Sequence, residues 1–108
     1  MVYDMAQKIL VVDDEEGIVL LLKDYFELQG YEVITAGGGT EALARISCDP
    51  DMIILDINMP DLDGLSVCRK IREKVSCPIL FLTARVEEQD RITGFIMGGN
   101  DYIVKPFS

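Results

Sequence analysis

Short runs of apolar residues without alternation constrain this chain more than any other feature. Ile9-Leu10-Val11-Val12, Met52 to Leu55, Ile79 to Leu82 and Tyr102-Ile103-Val104 are each continuous. A strand with one wet face alternates apolar and polar residues. A run without alternation suits a strand covered on both faces, which means a parallel sheet flanked by helices. Tyr31 to Ala36 alternates more, as an edge strand does. Between these runs the apolar period becomes helical. Glu15 to Gln29 carries Ile18, Leu21, Leu22, Tyr25 and Leu28 on one face, and Gly30 follows as a stop signal. Thr40 to Ser47 carries Ala42, Leu43 and Ile46, and Asp63 to Val75 carries Leu65, Val67, Cys68 and Ile71 with Pro78 beyond its end. Val86 to Met97 carries Ile92, Phe95 and Ile96, closed by Gly98-Gly99. The order is βαβαβαβαβ, an α/β chain whose right-handed crossovers put helices on both faces of a doubly wound five-stranded parallel sheet.

Length and composition narrow the function classes. A chain of 108 residues is one domain, and 49% hydrophobic residues exclude disorder. The longest unbroken apolar run, Ile18 to Leu22, falls far short of the ~20 residues a membrane span needs. No charged-then-apolar signal segment opens the chain, so a cytoplasmic protein with no membrane partner is expected. Lys+Arg 10 against Asp+Glu 19 gives a net charge of −9, which argues against direct contact with nucleic acid. Cys48, Cys68 and Cys77 match no metal spacing and read as reduced, buried or half-buried thiols. Histidine is absent, which removes the commonest general base and metal ligand.

In an open parallel sheet, ligands bind beyond the carboxyl ends of the strands. Asp13, Asp14, Glu15 and Glu16 follow the first apolar run, Asp56 follows Leu55, Thr83 follows Leu82, and Lys105 follows Val104. One such residue reads as a helix cap or a solvated strand end. Different chemistries delivered to one edge by separate strands do not. The carboxylates of Asp13, Asp14 and Asp56 repel one another unless a cation lies between them. A hard divalent ion with oxygen ligands fits, and Mg2+ fits best where few protein oxygens contribute and water completes the octahedron. Lys105 adds a compact positive charge and Thr83 a hydroxyl donor. Together they make a site for a phosphoryl group, with Asp56 as nucleophile and Asp13 and Asp14 serving the metal.

Three other motif readings fit less well. Gly37-Gly38-Gly39-Thr40-Glu41-Ala42 matches the loose G-x-G-x-x-A dinucleotide pattern, with Asp56 near the expected spacing of about 20. That reading leaves Asp13, Asp14, Thr83 and Lys105 unused, and glycine also eases a β–α turn. Asp56 to Asp61 begins like an EF-hand loop, but Pro60 replaces the fifth ligand and Asp61 the required glycine. A phosphohydrolase of the haloacid dehalogenase type needs an acid two residues after its nucleophile to protonate the leaving group. Asn58 stands there instead.

The strings ILVVDDEE, MIILDINMPDLDG, ILFLTAR and GGNDYIVKPF resemble the receiver domains of bacterial two-component response regulators, in order and spacing, over residues 8 to 107. LTAR followed by DRITGFIMGGNDYIVKPF most resembles the OmpR/PhoB winged-helix branch. The resemblance implies a flavodoxin-like, CheY-like fold with strand order 2-1-3-4-5, residues 1–7 as an extension, and a receiver over 8–108 that lacks the last helix. It implies that Asp56 accepts a phosphoryl group from a sensor histidine kinase. Asp14 would bind Mg2+ directly, Asp13 chiefly through water, and Asn58 through its backbone carbonyl. Thr83 and Lys105 would hold phosphoryl oxygens, and Pro106 would follow a cis bond. Tyr102 matches the aromatic that swings inward on activation; a half-exposed aromatic on an outer strand is its other reading. Gly64 fits a turn that needs a permissive backbone. A homodimer through the face of the fourth helix and fifth strand is implied, although Gly99-Asn100 stands where the family often carries Ala-Asp. DNA would be bound only by a C-terminal domain outside this chain, and the domain would catalyse nothing beyond its own phosphorylation and dephosphorylation.

Overall fold

A computed structural model describes residues 7–83 and 101–104. The helix expected over Val86 to Met97 lies outside the described residues, as do Lys105, Pro106 and most of the extension. Five strands form one parallel sheet: β1 (Lys8–Val12), β2 (Glu32–Ala36), β3 (Met52–Asp56), β4 (Ile79–Thr83) and β5 (Asp101–Val104). Their order is β2-β1-β3-β4-β5, so the more alternating strand does lie at an edge. Among the described residues three α-helices connect them: α1 (Glu16–Leu28), α2 (Gly39–Arg45) and α3 (Gly64–Arg72).

The unbroken apolar runs arise because each central strand buries both of its faces. Leu10, Val12, Ile53, Leu55, Ile79 and Phe81 point to the side covered by α2 and α3, where Ala42, Leu65, Val67, Cys68 and Ile71 complete the larger core. The intervening Ile9, Val11, Ile54 and Leu82 point to the other side, against Ile18, Leu22 and Phe26 of α1. Period-2 side-chain direction divides a single run between two cores. Each fully buried Leu or Ile contributes roughly 1.5–3 kcal/mol, so the fully buried positions of these runs do not tolerate a polar residue cheaply.

The helices differ from the expected ranges in instructive ways. The apolar stripe of α1 is wider than the face it buries. The row Ile18, Leu22, Phe26 meets the sheet, whereas Leu21 and Tyr25 are each 55% exposed and Leu28 85%. A helix resting on a sheet touches it along one i, i+4 row, so apolar residues on the flanking row stay in solvent. α2 tightens into a 3-10 turn over Ile46–Cys48, and Asp49 then takes a left-handed conformation at φ 60°. α3 begins one residue later than expected because Asp63 is its N-cap, its side chain accepting the Leu65 N–H at 3.4 Å.

Candidate functional site

The parallel register brings the acids together. Val12 pairs with Leu55 across β1 and β3, so the next residue on each strand, Asp13 and Asp56, reaches the same edge. Backbone bonds carry both strands one step further: Asp13 N–H donates to the Ala36 carbonyl at 3.2 Å, and Ile57 N–H donates to the Leu82 carbonyl at 3.1 Å. Carboxylate oxygens of Asp13, Asp14 and Asp56 all lie within 4.8 Å of one another. Asp13 and Asp56 are each only 1% exposed, while Asp14 is open to solvent. One Asp13 oxygen accepts the Glu15 N–H at 2.9 Å, and one Asp56 oxygen accepts the Asn58 N–H at 3.2 Å.

Buried like charges at this separation are costly. Two ionised carboxylates about 5 Å apart repel by roughly 3 kcal/mol at an effective dielectric near 20. A cation between them reverses the sign of that contribution. The donor set is all oxygen, which selects a hard ion, and three carboxylates are fewer than the six to eight ligands Ca2+ takes. The arrangement fits Mg2+ with water filling the remaining positions. Beside the acids lies a cleft of about 220 Å³ whose walls include Asp13, Asp14, Glu16, Thr35 and Glu41. The Gly37 N–H, at 2.8 Å, and the Arg45 guanidinium hold the Glu41 carboxyl below its ordinary range.

The loop between β3 and α3 folds tightly over Asp56. Gly64 N–H donates to the Ile57 carbonyl at 2.9 Å. A Cβ on Gly64 would collide with the Asp56 carbonyl oxygen and sit 2.7 Å from Ile57 Cα. Glycine is required there by close approach of two backbone segments, not by the permissive turn expected from sequence; its φ is not in the left-handed region. The same loop contains a residue that sequence reading passed over except as a fault in an EF-hand pattern. Asp61 reaches back to accept the Gly39 and Thr40 N–H groups at the start of α2, at 3.1 and 3.0 Å. No motif in the sequence marks this pairing, whose partners stand 21 and 22 residues from Asp61.

Of the other expected site residues, Thr83 closes β4, one step past the Asp56–Leu82 pair, and Tyr102 pairs with Phe81. Val104 pairs with Thr83, and Lys105 and Pro106 lie outside the described residues. Asn58 is exposed, directly after the buried Asp56–Ile57 segment. The three cysteines are unbridged, and burial pushes each thiol above its ordinary value, so none is activated as a nucleophile.

Comparison with known proteins decides the family. Residues 9–108 match the response regulator receiver domain. The chain belongs to that family. This receiver is 52% identical over 106 residues to the alkaline phosphatase synthesis transcriptional regulatory protein PhoP of Bacillus subtilis, covering 96% of the chain and 44% of that protein. It is likewise 52% identical over 102 residues to the transcriptional regulatory protein ResD of the same organism, covering 94% of the chain and 42% of ResD. Both relatives are OmpR/PhoB-type regulators, so the receiver spans less than half the length of the curated proteins it matches. Among solved structures, the chemotaxis protein CheY4 of Vibrio cholerae superposes with a TM-score of 0.85 at 34% identity, covering 96% of the receiver and 90% of CheY4. The Thermotoga maritima response regulator TrrA, solved in complex with Mg2+–BeF, gives 0.82 at 40% identity, covering 94% and 88%. No helix among the described residues is long and apolar enough to cross a membrane.

Proposed function

We propose that this receiver accepts a phosphoryl group on Asp56 from a phosphohistidine of a sensor histidine kinase, with Mg2+ held by Asp13, Asp14, Asp56 and the backbone carbonyl of Asn58. The observation that carries the reading is the convergence of three carboxylates within 4.8 Å, two of them buried, at the carboxyl edge of the sheet. Burial of Asp56 among the ends of β1, β3 and β4 supports it as the acceptor, since water is largely kept from the acyl phosphate that forms there.

In the transfer, an Asp56 carboxylate oxygen attacks phosphorus. An O–P bond forms, the P–N bond to the donor imidazole breaks, and the electron pair leaves on that nitrogen. Bound Mg2+ supplies positive charge that offsets the charge on the transferring oxygens. Asp13, Asp14, Asp56 and the Asn58 carbonyl would hold that ion, and the Asn58 N–H orients Asp56 through its bond to Oδ1. Thr83 and Lys105 take the phosphoryl oxygens. Drawing Thr83 toward them frees space for Tyr102 and shifts the face of the fourth helix and fifth strand toward dimerisation. In the separate hydrolysis that resets the domain, water attacks phosphorus, the O–P bond to Asp56 breaks, and inorganic phosphate leaves as the Asp56 carboxylate is regenerated; both steps act on the domain's own aspartate.

The relatives' names support a transcriptional output. In this reading a C-terminal domain outside this chain binds DNA, and the acidic receiver does not. The whole regulator works in the cytoplasm. Incubation with acetyl phosphate and Mg2+ should raise the intact mass by one phosphoryl group, and excess EDTA should prevent it. Undiminished labelling in EDTA would contradict the role assigned to the metal.

A further inference from the structure

The run Gly37-Gly38-Gly39 takes no part in phosphoryl transfer, yet it packs closely against the β3–α3 loop beside the site. Asp61 Oδ1 accepts the N–H of Gly39 at 3.1 Å and of Leu62 at 2.8 Å, and Oδ2 accepts the N–H of Thr40 at 3.0 Å. The two segments touch so closely that no side chain fits between them. A Cβ on Gly38 would lie 2.9 Å from Asp61 Oδ2, and one on Gly39 would lie 2.7 Å from both Leu62 Cβ and Val67 Cγ2.

The bond matters because of what lies on either side of it. Ile57 is held at one end of the β3–α3 loop, its N–H on the Leu82 carbonyl and its carbonyl on the Gly64 N–H. Asp61 is held at the other end, on α2. Asn58, Met59 and Pro60 run between these anchors, with Met59 buried at 8% exposure. On the far side, Gly37-Gly38 joins α2 to Ala36, whose carbonyl accepts the Asp13 N–H at 3.2 Å. Backbone therefore closes a ring around the acids, from Asp13 through Ala36 and Gly39 to Asp61, Asn58 and Asp56. Asp61 supplies a side-chain link in that ring.

We propose that Asp61 is a positioning residue for the cation site: by pinning the β3–α3 loop to the start of α2, it presents the Asn58 carbonyl to the ion held by Asp13, Asp14 and Asp56. This rests on the Mg2+ reading above and extends it to a residue that touches neither ion nor phosphoryl group. Groups that orient metal ligands without touching the metal cost about tenfold or more in affinity when removed. Asparagine keeps one acceptor oxygen and so restores part of the link.

The test is Mg2+ titration by calorimetry on the intact protein, its Asp61→Ala and Asp61→Asn variants, and Asp14→Asn, with amide exchange read at Gly39 and Thr40. The wild type should bind Mg2+ and Asp14→Asn should not. Asp61→Ala should bind about tenfold more weakly, Asp61→Asn should lose less, and Gly39 and Thr40 should lose protection in step. An Asp61→Ala protein with lost protection but wild-type affinity would overturn the proposal while leaving the Mg2+ site intact. If Asp61→Ala does not fold, Asp61→Asn decides alone: weakened binding supports the role, and unchanged binding with lost protection rejects it. Failure of the wild type to bind Mg2+ would reject the underlying reading and the proposal with it.

Discussion

Asp13, Asp56 and Asp61 all accept backbone N–H groups, but they use them differently. Asp13 and Asp56 accept an N–H from the residue two positions later, and each also offers a carboxylate oxygen to the cluster. Asp61 spends both oxygens on N–H donors, at Gly39, Thr40 and Leu62. Those donors favour its ionised form and lower its pKa from 3.8 to about 2. A depressed carboxylate pKa means a stabilising contribution that is complete above about pH 4 and is lost as pH falls toward 2. The Asp61 carboxyl carbon resonance should therefore titrate with a midpoint near 2, with the Gly39 and Thr40 amides shifting in step. A midpoint near 4 would show that the tether is not formed in solution. Asp61 was not legible in the sequence because its partners are backbone groups 21 and 22 residues away, and no side-chain motif marks such a pair. Asp13, Asp14 and Asp56 were legible because they stand within two positions of the end of an apolar run.

At the scale of elements, the strands were more readable than the helices. A strand between two cores is apolar at every position, so Ile9 to Val12 and Met52 to Leu55 announce themselves, and their polar successors mark the binding edge. α1 misled because Leu21, Tyr25 and Leu28 extend its apolar stripe past the row that meets the sheet. Glycine chemistry was visible only as punctuation. Gly64 shows the difference: a turn glycine and a glycine pressed on a backbone carbonyl look alike in sequence. Gly64→Ala should destabilise the fold by about 1–3 kcal/mol in denaturant unfolding, because the Asp56 carbonyl it would strike belongs to β3 and cannot move aside. The same variant should also impair Mg2+ binding, since relieving the clash displaces Asp56 and Ile57. A neutral effect on both would show that the loop packs less closely than the structure has it.

For the whole molecule, the net charge of −9 is in part the cost of the site. Asp13, Asp14 and Asp56 are gathered at one edge with Glu16 and Glu41 beside them, an arrangement that opposes folding by self-repulsion unless a cation is bound. The switch proposed for this receiver couples that charge to a distant face through Thr83, Lys105 and Tyr102. Lys105→Ala should leave Mg2+ binding in place yet separate phosphorylation from dimerisation, read by sedimentation of the labelled protein; full dimerisation of that variant would contradict the role given to Lys105. Beneath all of this lies the assignment of Asp56 as the acceptor. The most direct measurement is site-mapped mass spectrometry of the wild type and Asp56→Asn after incubation with acetyl phosphate and Mg2+. One phosphoryl group on the peptide containing Asp56 in the wild type, and none on the variant, is the expected result. A variant labelled as fully as the wild type, or a wild-type label on any other residue, would contradict the account.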